Sequence, residues 1–322
     1  MRRSTNCVSR SGDDGIRSRQ GDLQQPMSDR FRKLSRIVGC LLSLGFLSAQ
    51  PFSVERGSSV VAIYSQKDDY VVVAAESRNE DFNHKPLNDQ ACKIISLGND
   101  TVFFETGIPV IGVLRGSNWN AQSVARAVYR RSKLHDPKSL SIAWGNGALK
   151  WFYGQPAQDL QAITEPDGGI ITGGFINFTK VGTAPIQTQT IFYSASANSL
   201  SRRPRADPPQ LGQIAVSGVA TELVDEFFKG NTTRAQLAFG PIGTIRRIGE
   251  DPTIDASLTR KAIQFAIDYS IGADHDAIGG PIDIAIIRKN LPIEWIARKK
   301  ECYEQDQKPL PPVSSAQKKK SI

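Results

Sequence analysis

Continuous apolar runs mark the first predicted strands of this chain. Residues 58–64 (SSVVAIY) and 70–75 (YVVVAA) are β-branched and apolar, and the charged residues 67–69 lie between them. Two such runs around a short polar turn are typical of a β-hairpin, and the near absence of polar positions favours burial of both faces. A second strand pair is predicted at 93–97 and 101–105, joined by a turn at 98–100 (GND).

Helical periodicity begins at residue 120. In residues 120–134 the apolar positions fall on one side of a helix, and a second helical region follows at 139–163, interrupted near the glycines of 145–147 and at Pro156. Further strands are predicted at 169–178, 188–194, 212–219 and 282–287, further helices at 221–229 and 254–271, and an exposed loop at 201–209. Strands grouped apart from paired helices favour an α+β fold over an alternating parallel-sheet fold.

The positive charge is concentrated at the two ends of the chain. Of the 40 basic and 32 acidic residues, residues 1–36 contain nine basic and four acidic ones, and residues 298–322 contain seven and three. The body between them is nearly neutral, which argues against a nucleic-acid-binding function. We expect residues 1–26 to be a disordered N-terminal extension and residues 298–322 a disordered basic tail.

Residues 27–50 have the organisation of a signal peptide. Four basic residues between 30 and 36 precede an apolar run at 37–47, and the small residues Ser48 and Ala49 follow. This arrangement predicts export from a bacterial cytoplasm to the periplasm or the exterior. The apolar run is too short for an ordinary bilayer span, so no membrane association beyond the leader is expected. The alternative is a short buried helix of the mature fold, which would leave the protein in the cytoplasm.

The cysteine pattern predicts no metal centre. The four cysteines are Cys7, Cys40, Cys92 and Cys302, without a CxxC motif or a Cys/His cluster at metal-ligand spacing. A bridge between Cys92 and Cys302 would form only in an oxidising compartment, and the sequence leaves this pairing open.

Several short motifs follow one another in a recognisable order. Gly57-Ser58-Ser59 opens the first strand, Glu76-Ser77-Arg78 follows the second, and Lys93 opens the third. Gly107 then closes the fourth, and near the far end Asp276 precedes Gly279-Gly280 and a strand. This series resembles the proteasome β subunits, which are N-terminal-nucleophile hydrolases.

The resemblance implies a four-layer αββα sandwich over residues 58–297, preceded by a short propeptide at 51–57. Cleavage after Gly57 would make Ser58 the nucleophile and its α-amine the general base, because an α-amine titrates near neutral pH. Lys93 would favour the neutral amine through its charge, and Glu76 would hold Lys93. Gly107 would offer its N–H to the oxyanion, and Asp276, with Asp274 as a competitor, would orient the hydroxyl or amine.

Each of these residues also has a purely structural interpretation. Ser58 would simply begin a strand, Glu76 and Lys93 would form a structural ion pair, and Gly107 and Asp276 would be turn residues. The sequence also departs from the family, since Ser replaces Thr as the nucleophile. The Ser-Gly segment that supports the nucleophile has only a poor counterpart at residues 240–243 (GPIG).

The predicted function is therefore a self-processing amide hydrolase, a peptidase acting on a peptide or amide substrate without a metal or organic cofactor. Homo-oligomerisation is compatible with the resemblance, which implies ring assembly in the family. The alternative is a catalytically silent domain of the same fold that acts in assembly or partner binding. An acylase acting on small amides would share the nucleophile but have a different pocket.

Overall fold

The computed structural model describes residues 54–55, 59–65, 67–81, 85–114, 117–178, 184–204, 213–218, 221–239, 248–272 and 278–307. The predicted N-terminal extension and signal peptide, most of the predicted propeptide, and residues 308–322 lie outside these ranges. All described residues belong to one compact unit within Pro51–Ile322.

One five-stranded antiparallel sheet carries the predicted first hairpin. Its strands, in spatial order, are β13 (Gln213–Gly218), β2 (Ser59–Ser65), β3 (Tyr70–Ala75), β14 (Asp283–Arg288) and β15 (Glu294–Ala297). Strands β2 and β3 are buried almost throughout, which confirms the prediction from their unbroken apolar runs.

A second antiparallel sheet carries the predicted second pair of strands. Its order is β12 (Ser199–Arg203), β11 (Ile186–Ser194), β10 (Gly169–Ile176), β7 (Val102–Gly107) and β6 (Ile94–Ser96), so that β6 is an edge strand. Two small ladders accompany the sheets: β1 (Val54–Glu55), β8 (Val110–Leu114) and β9 (Ser117–Asn120) form one, and β4 (Asn79–Glu80) and β5 (Pro86–Asn88) form the other.

Seven helices lie among the described residues: α1 (Ala121–Arg131), α2 (Pro137–Phe152), α3 (Ala157–Ile163), α4 (Thr221–Lys229), α5 (Thr233–Phe239), α6 (Pro252–Gly272) and α7 (Lys300–Gln307). Local sequence determines where the first two begin. Asn120 caps α1 by accepting a bond from the Ser123 amide at 2.8 Å, and Asp136 caps α2 by accepting one from the Ser139 amide at 3.0 Å. No helix in these ranges is long and apolar enough to cross a bilayer.

Three apolar clusters form the core. In the first, the second sheet packs against α1 and α2, as where Phe103 meets Trp144 with ring centroids 5.8 Å apart. In the second, the first sheet packs against α4 and α6. The third contains residues from both sheets, for example Val60 and Val73 from one and Phe104 from the other. The α+β class with antiparallel sheets is therefore confirmed.

Several local predictions are wrong. Helix α2 continues through the glycines of 145–147, because Gly145 lies where the helix meets the second sheet and a Cβ there would stand only 3.1 Å from the Gln189 Cβ. Residues 201–203 of the predicted loop belong to β12. The predicted basic tail is ordered from 298 to 307, where buried ion pairs and α7 replace the expected disorder. The predicted helix break at Pro156 is confirmed, since Pro156 has an extended backbone and lies between α2 and α3, directly before α3.

Candidate functional site

A buried ion pair lies at the centre of the candidate site. The Lys93 Nζ is 2.6 Å from the Glu76 Oε1, and the two side chains are 1% and 0% exposed. Glu76 directly follows β3 of the first sheet, whereas Lys93 directly precedes β6 of the second. The pair therefore joins the two sheets, and a buried pair of charges is stable only when its remaining polar atoms are also satisfied.

The Glu76 carboxylate satisfies this requirement with backbone donors. Its Oε1 accepts a bond from the Ser59 amide at 3.0 Å, and its Oε2 accepts bonds from the amides of Arg78 at 2.6 Å and Gly279 at 3.3 Å. Ser59 is the first residue of β2, and Gly279 lies in the segment that leads to β14. One carboxylate thus brings together the start of β2, the turn after β3 and the Gly-Gly segment.

The Lys93 ammonium lies among several polar groups. It also donates to the carbonyl oxygen of Arg78. Burial lowers the pKa of Lys93 below its usual value, and the carboxylates of Glu76, Glu105 and Glu80 oppose this effect. The neutral form is therefore easier to reach than for an exposed lysine.

Gly107 ends β7 in a conformation that requires glycine. Its φ is +93°, and a Cβ at this position would lie 2.5 Å from the carbonyl oxygen of Ile170. The preceding residue, Thr106, forms a buried hydrogen bond of 2.7 Å with the hydroxyl of Ser217 in β13. Gly107 is thereby placed beside the end of the first sheet at which β2 begins.

Sequence reasoning missed the pair Ser217-Gly218. In the antiparallel pairing of β13 with β2, Gly218 is opposite Ser59 and Ser217 is opposite Val60. The signal was present, because a Ser-Gly pair lies near the end of the predicted strand 212–219 and shortly before the predicted helix 221–229. It was overlooked because its position beside β2 depends on a strand pairing distant in sequence. Residues 240–243, the segment considered instead, lie outside the described residues.

The structure brings together part of the predicted site. Glu76 and Lys93 are in direct contact, and Gly107 lies in β7 two residues after Glu105, whose amide donates to the carbonyl oxygen of Lys93 at 3.1 Å. Ser58, Asp276 and its competitor Asp274 lie outside the described residues. Their described neighbours Ser59 and Gly279 both donate to Glu76, which places the flanks of the two segments at the same carboxylate.

The cysteine pairing that the sequence left open is present. Cys92 and Cys302 form a disulfide across 210 residues of sequence, with their Cα atoms 5.4 Å apart. Cys92 directly precedes Lys93, so this bond attaches α7 to the segment that carries the buried lysine.

The described part of the site offers a buried lysine, an acidic partner and a glycine with positive φ at a strand end. Within the described ranges, no three His, Cys, Asp or Glu side chains are grouped so that they could bind a metal ion. The arrangement can therefore stabilise charge and influence the protonation of a neighbouring amine.

Comparison with known proteins gives no independent assignment. No protein-family model matches the chain, and no curated protein matches it significantly.

Proposed function

We propose that this protein is a self-processing N-terminal-nucleophile amide hydrolase that acts as a peptidase. The observation that carries the proposal is the position of the buried pair, since the Glu76 that holds Lys93 also accepts a bond from the Ser59 amide. Ser59 is the residue after the proposed nucleophile. Cleavage of the bond between Gly57 and Ser58 would leave Gly57 with a carboxyl group and would free the α-amine of Ser58, which already carries its hydroxyl, at the residue before Ser59.

The chemistry needs only groups of the chain itself and water. The Ser58 hydroxyl attacks the substrate carbonyl while its α-amine takes the proton, and that proton then passes to the leaving amine. The resulting acyl ester is hydrolysed by water, which the same amine activates. The positive charge of Lys93 keeps the α-amine in its neutral, basic form by like-charge repulsion.

Two further residues complete this proposal. Gly107 presents backbone without a side chain at the end of β7, where an amide N–H can approach the oxyanion of the tetrahedral intermediate. Asp276 orients the hydroxyl or amine from the segment that precedes Gly279. The Ser217-Gly218 pair, which lies opposite the start of β2, supports the nucleophile from the neighbouring strand.

The packing of the core supports a four-layer αββα sandwich. One apolar cluster lies between the two sheets, and each of the other two lies between a sheet and helices. This order of layers is what the family resemblance implies, and we infer it for this chain.

Export from a bacterial cytoplasm is the proposed localisation. The Cys92–Cys302 disulfide supports it, because structural disulfides persist in oxidising compartments such as the periplasm.

A second candidate function, a silent domain that binds partners, is favoured by one observation. Glu76 accepts four hydrogen bonds, one each from Ser59, Arg78, Lys93 and Gly279, so the pair is also complete as a purely structural link. An uncut chain would keep the Ser58 nitrogen in a peptide bond and would have no α-amine at the site.

The state of the N-terminus distinguishes the two functions. The full chain is expressed, isolated from the exported fraction and analysed by intact mass and N-terminal sequencing. A mature chain that begins at Ser58 is the expected result. A chain that begins near Gln50 and remains stable on incubation would contradict self-processing and favour the silent domain.

Matched variants test which residue is the nucleophile. Ser58→Ala should abolish cleavage, whereas Ser59→Ala should retain it, because Ser59 contributes its backbone amide to Glu76. Cleavage that survives in Ser58→Ala but is lost in Ser59→Ala would move the nucleophile by one residue. Peptide and acyl-amide panels offered to the mature chain then separate a peptidase from an acylase.

A further inference from the structure

The residues that follow β15 fold back over the segment that carries Lys93. Residues 298–307, called here the C-terminal clasp, comprise Arg298, Lys299 and helix α7. The helix contacts β6, the edge strand of the second sheet. The clasp therefore covers the outer edge of the strand that Lys93 opens.

One attachment of the clasp is covalent. The side chain of Cys302, in the first turn of α7, is fully buried and is bonded to Cys92. Because Cys92 directly precedes Lys93, the disulfide fixes the backbone on the N-terminal side of the lysine.

Other attachments fix the backbone on the C-terminal side. Arg298 donates to the carbonyl oxygen of Ile94 at 2.7 Å and to Asp306 Oδ2 at 2.6 Å. Asp306 in turn accepts a bond from the Ser96 amide at 3.2 Å. The clasp thus replaces the strand neighbour that an edge strand would otherwise need.

Lys299 contacts both segments that carry the buried pair, one next to Glu76 and the other just before Lys93. Its Nζ donates to the carbonyl oxygen of Ala91 at 2.8 Å and to the hydroxyl of Ser77, and it lies 2.8 Å from Asp283 Oδ2. Ala91 lies just before Cys92 and Lys93, and Ser77 directly follows Glu76. The Lys299 side chain is only 7% exposed, whereas that of its neighbour Lys300 is 85% exposed.

We propose that Lys299 and the Cys92–Cys302 disulfide are positioning groups, which hold Lys93 and Glu76 in the geometry that the nucleophile requires. This inference rests on the proposed hydrolase function and extends it to residues that do not touch the substrate. A lysine side chain has four rotatable bonds, so its ammonium stays in one place only when the surrounding backbone is fixed. Displacement of a charge by about 1 Å is enough to lower a rate substantially.

The two neighbouring lysines provide a matched test. In the mature chain, Lys299→Gln and the double variant Cys92→Ser/Cys302→Ser should lower kcat by about tenfold or more, with KM changed by less than about twofold, because neither group contacts substrate. Lys300→Gln removes the same charge from the same segment and should leave both constants within about twofold of the original. Lys299→Arg should recover part of the lost kcat, since it retains the cation.

Reduction tests the disulfide without any substitution. A dithiol reductant supplies two electrons and two protons, yields the free thiols of Cys92 and Cys302, and becomes a disulfide itself. Reduced protein should show the kcat of the double variant, and the double variant itself should not respond to the reductant. An unchanged kcat in Lys299→Gln and in the reduced protein would overturn the inference.

A second readout separates failure of this inference from failure of the proposed function. If the chain is neither cut nor active, the hydrolase proposal fails, and positioning is judged from the NMR signal of the Lys93 ammonium in lysine-labelled protein, assigned by its loss in Lys93→Met. Under the inference this signal moves in Lys299→Gln and in the double variant and stays in place in Lys300→Gln. A signal that is the same in all three variants would overturn the inference.

Discussion

The hydroxyl of Ser217 lies 2.7 Å from the hydroxyl of Thr106, in a buried hydrogen bond between β13 and β7. Each of these residues precedes a glycine that matters to the candidate site. Gly218 is opposite Ser59 at the start of β2, and Gly107 ends β7 with a positive φ. The bond therefore fixes the distance between the start of β2 and the proposed oxyanion-binding backbone.

We predict that Ser217→Ala slows self-cleavage and substrate hydrolysis by about tenfold or more, while lowering the free energy of unfolding by about 1–3 kcal/mol. The loss of one hydroxyl leaves the Thr106 hydroxyl without its partner and allows β7 to shift relative to β2. Rates of appearance of the chain starting at Ser58 measure the first effect, and urea unfolding measures the second.

Another buried hydroxyl pair serves as the control. Thr172 and Thr190 bond at 2.8 Å between β10 and β11, both within the second sheet. Thr190→Val should cost a similar free energy of unfolding without slowing cleavage. Equal loss of rate in the two variants would mean that Ser217 acts through general stability.

We predict that Lys93→Met lowers the free energy of unfolding by about 3–5 kcal/mol and abolishes self-cleavage, because it leaves the buried Glu76 carboxylate without its cation. The double variant Lys93→Met/Glu76→Gln should recover part of the stability but no activity. Denaturant unfolding and N-terminal sequencing measure the two effects.

The pair of Lys289 and Asp69 is a suitable comparison, since it joins exposed side chains 3.0 Å apart. Lys289→Met should change the unfolding free energy by at most about 1 kcal/mol. An equal loss in the free energy of unfolding for Lys93→Met and Lys289→Met would show that Lys93 is not shielded from water.

The sequence predicted the elements whose pattern is local. The hairpin of β2 and β3 was recognisable from its unbroken β-branched runs, and Glu76 and Lys93 were recognisable because each adjoins such a run. Helix α1 was recognisable from its apolar side, and its start coincides with the Asn120 cap.

The remaining features depend on contacts between distant segments. The glycines of α2 predicted a break because glycine weakens isolated helices, but Gly145 in fact permits close packing against Gln189. The clasp was predicted to be disordered because it is charged, although Arg298 and Asp306 neutralise each other when buried. No local sequence pattern predicts that Ser217 lies beside β2, because this position results from the pairing of β13 with β2.

We predict that loss of the Cys92–Cys302 disulfide lowers the free energy of unfolding by about 2–5 kcal/mol, because the bond restricts an unfolded chain across a long loop. Urea unfolding of Cys92→Ser/Cys302→Ser measures the change. The original protein under reducing conditions should match the double variant. A reductant that destabilises the double variant equally would show that the effect does not come from this bond.

We predict that the contribution of Asp255 to the free energy of unfolding decreases as the pH rises above about 4. Burial raises its pKa, although bonds from the Tyr70 hydroxyl at 2.7 Å and the Gly249 amide at 3.0 Å oppose this effect. A raised folded-state pKa means that the folded protein binds the proton more tightly. The resulting stabilisation is full below the unfolded-state pKa and is lost as the pH rises through the folded-state pKa.

Thermal unfolding from pH 3 to pH 7 checks this sign. The original protein should lose stability relative to Asp255→Asn over this range. Asp268→Asn, at an exposed position of the same helix, is the control. A gain of stability relative to Asp255→Asn with rising pH would contradict the prediction.

The pairing of β1 with β8 gives the proposed self-cleavage a direction. Before the cut, Val54 and Glu55 are tethered to β2 through residues 56–58, so they face β8 at a high effective concentration. After the cut, the same two-residue ladder must retain a separate peptide, which dilution removes. Under the proposed cleavage, the released peptide would carry away the carboxyl group needed to re-form the bond, and maturation would therefore run one way without an external energy source.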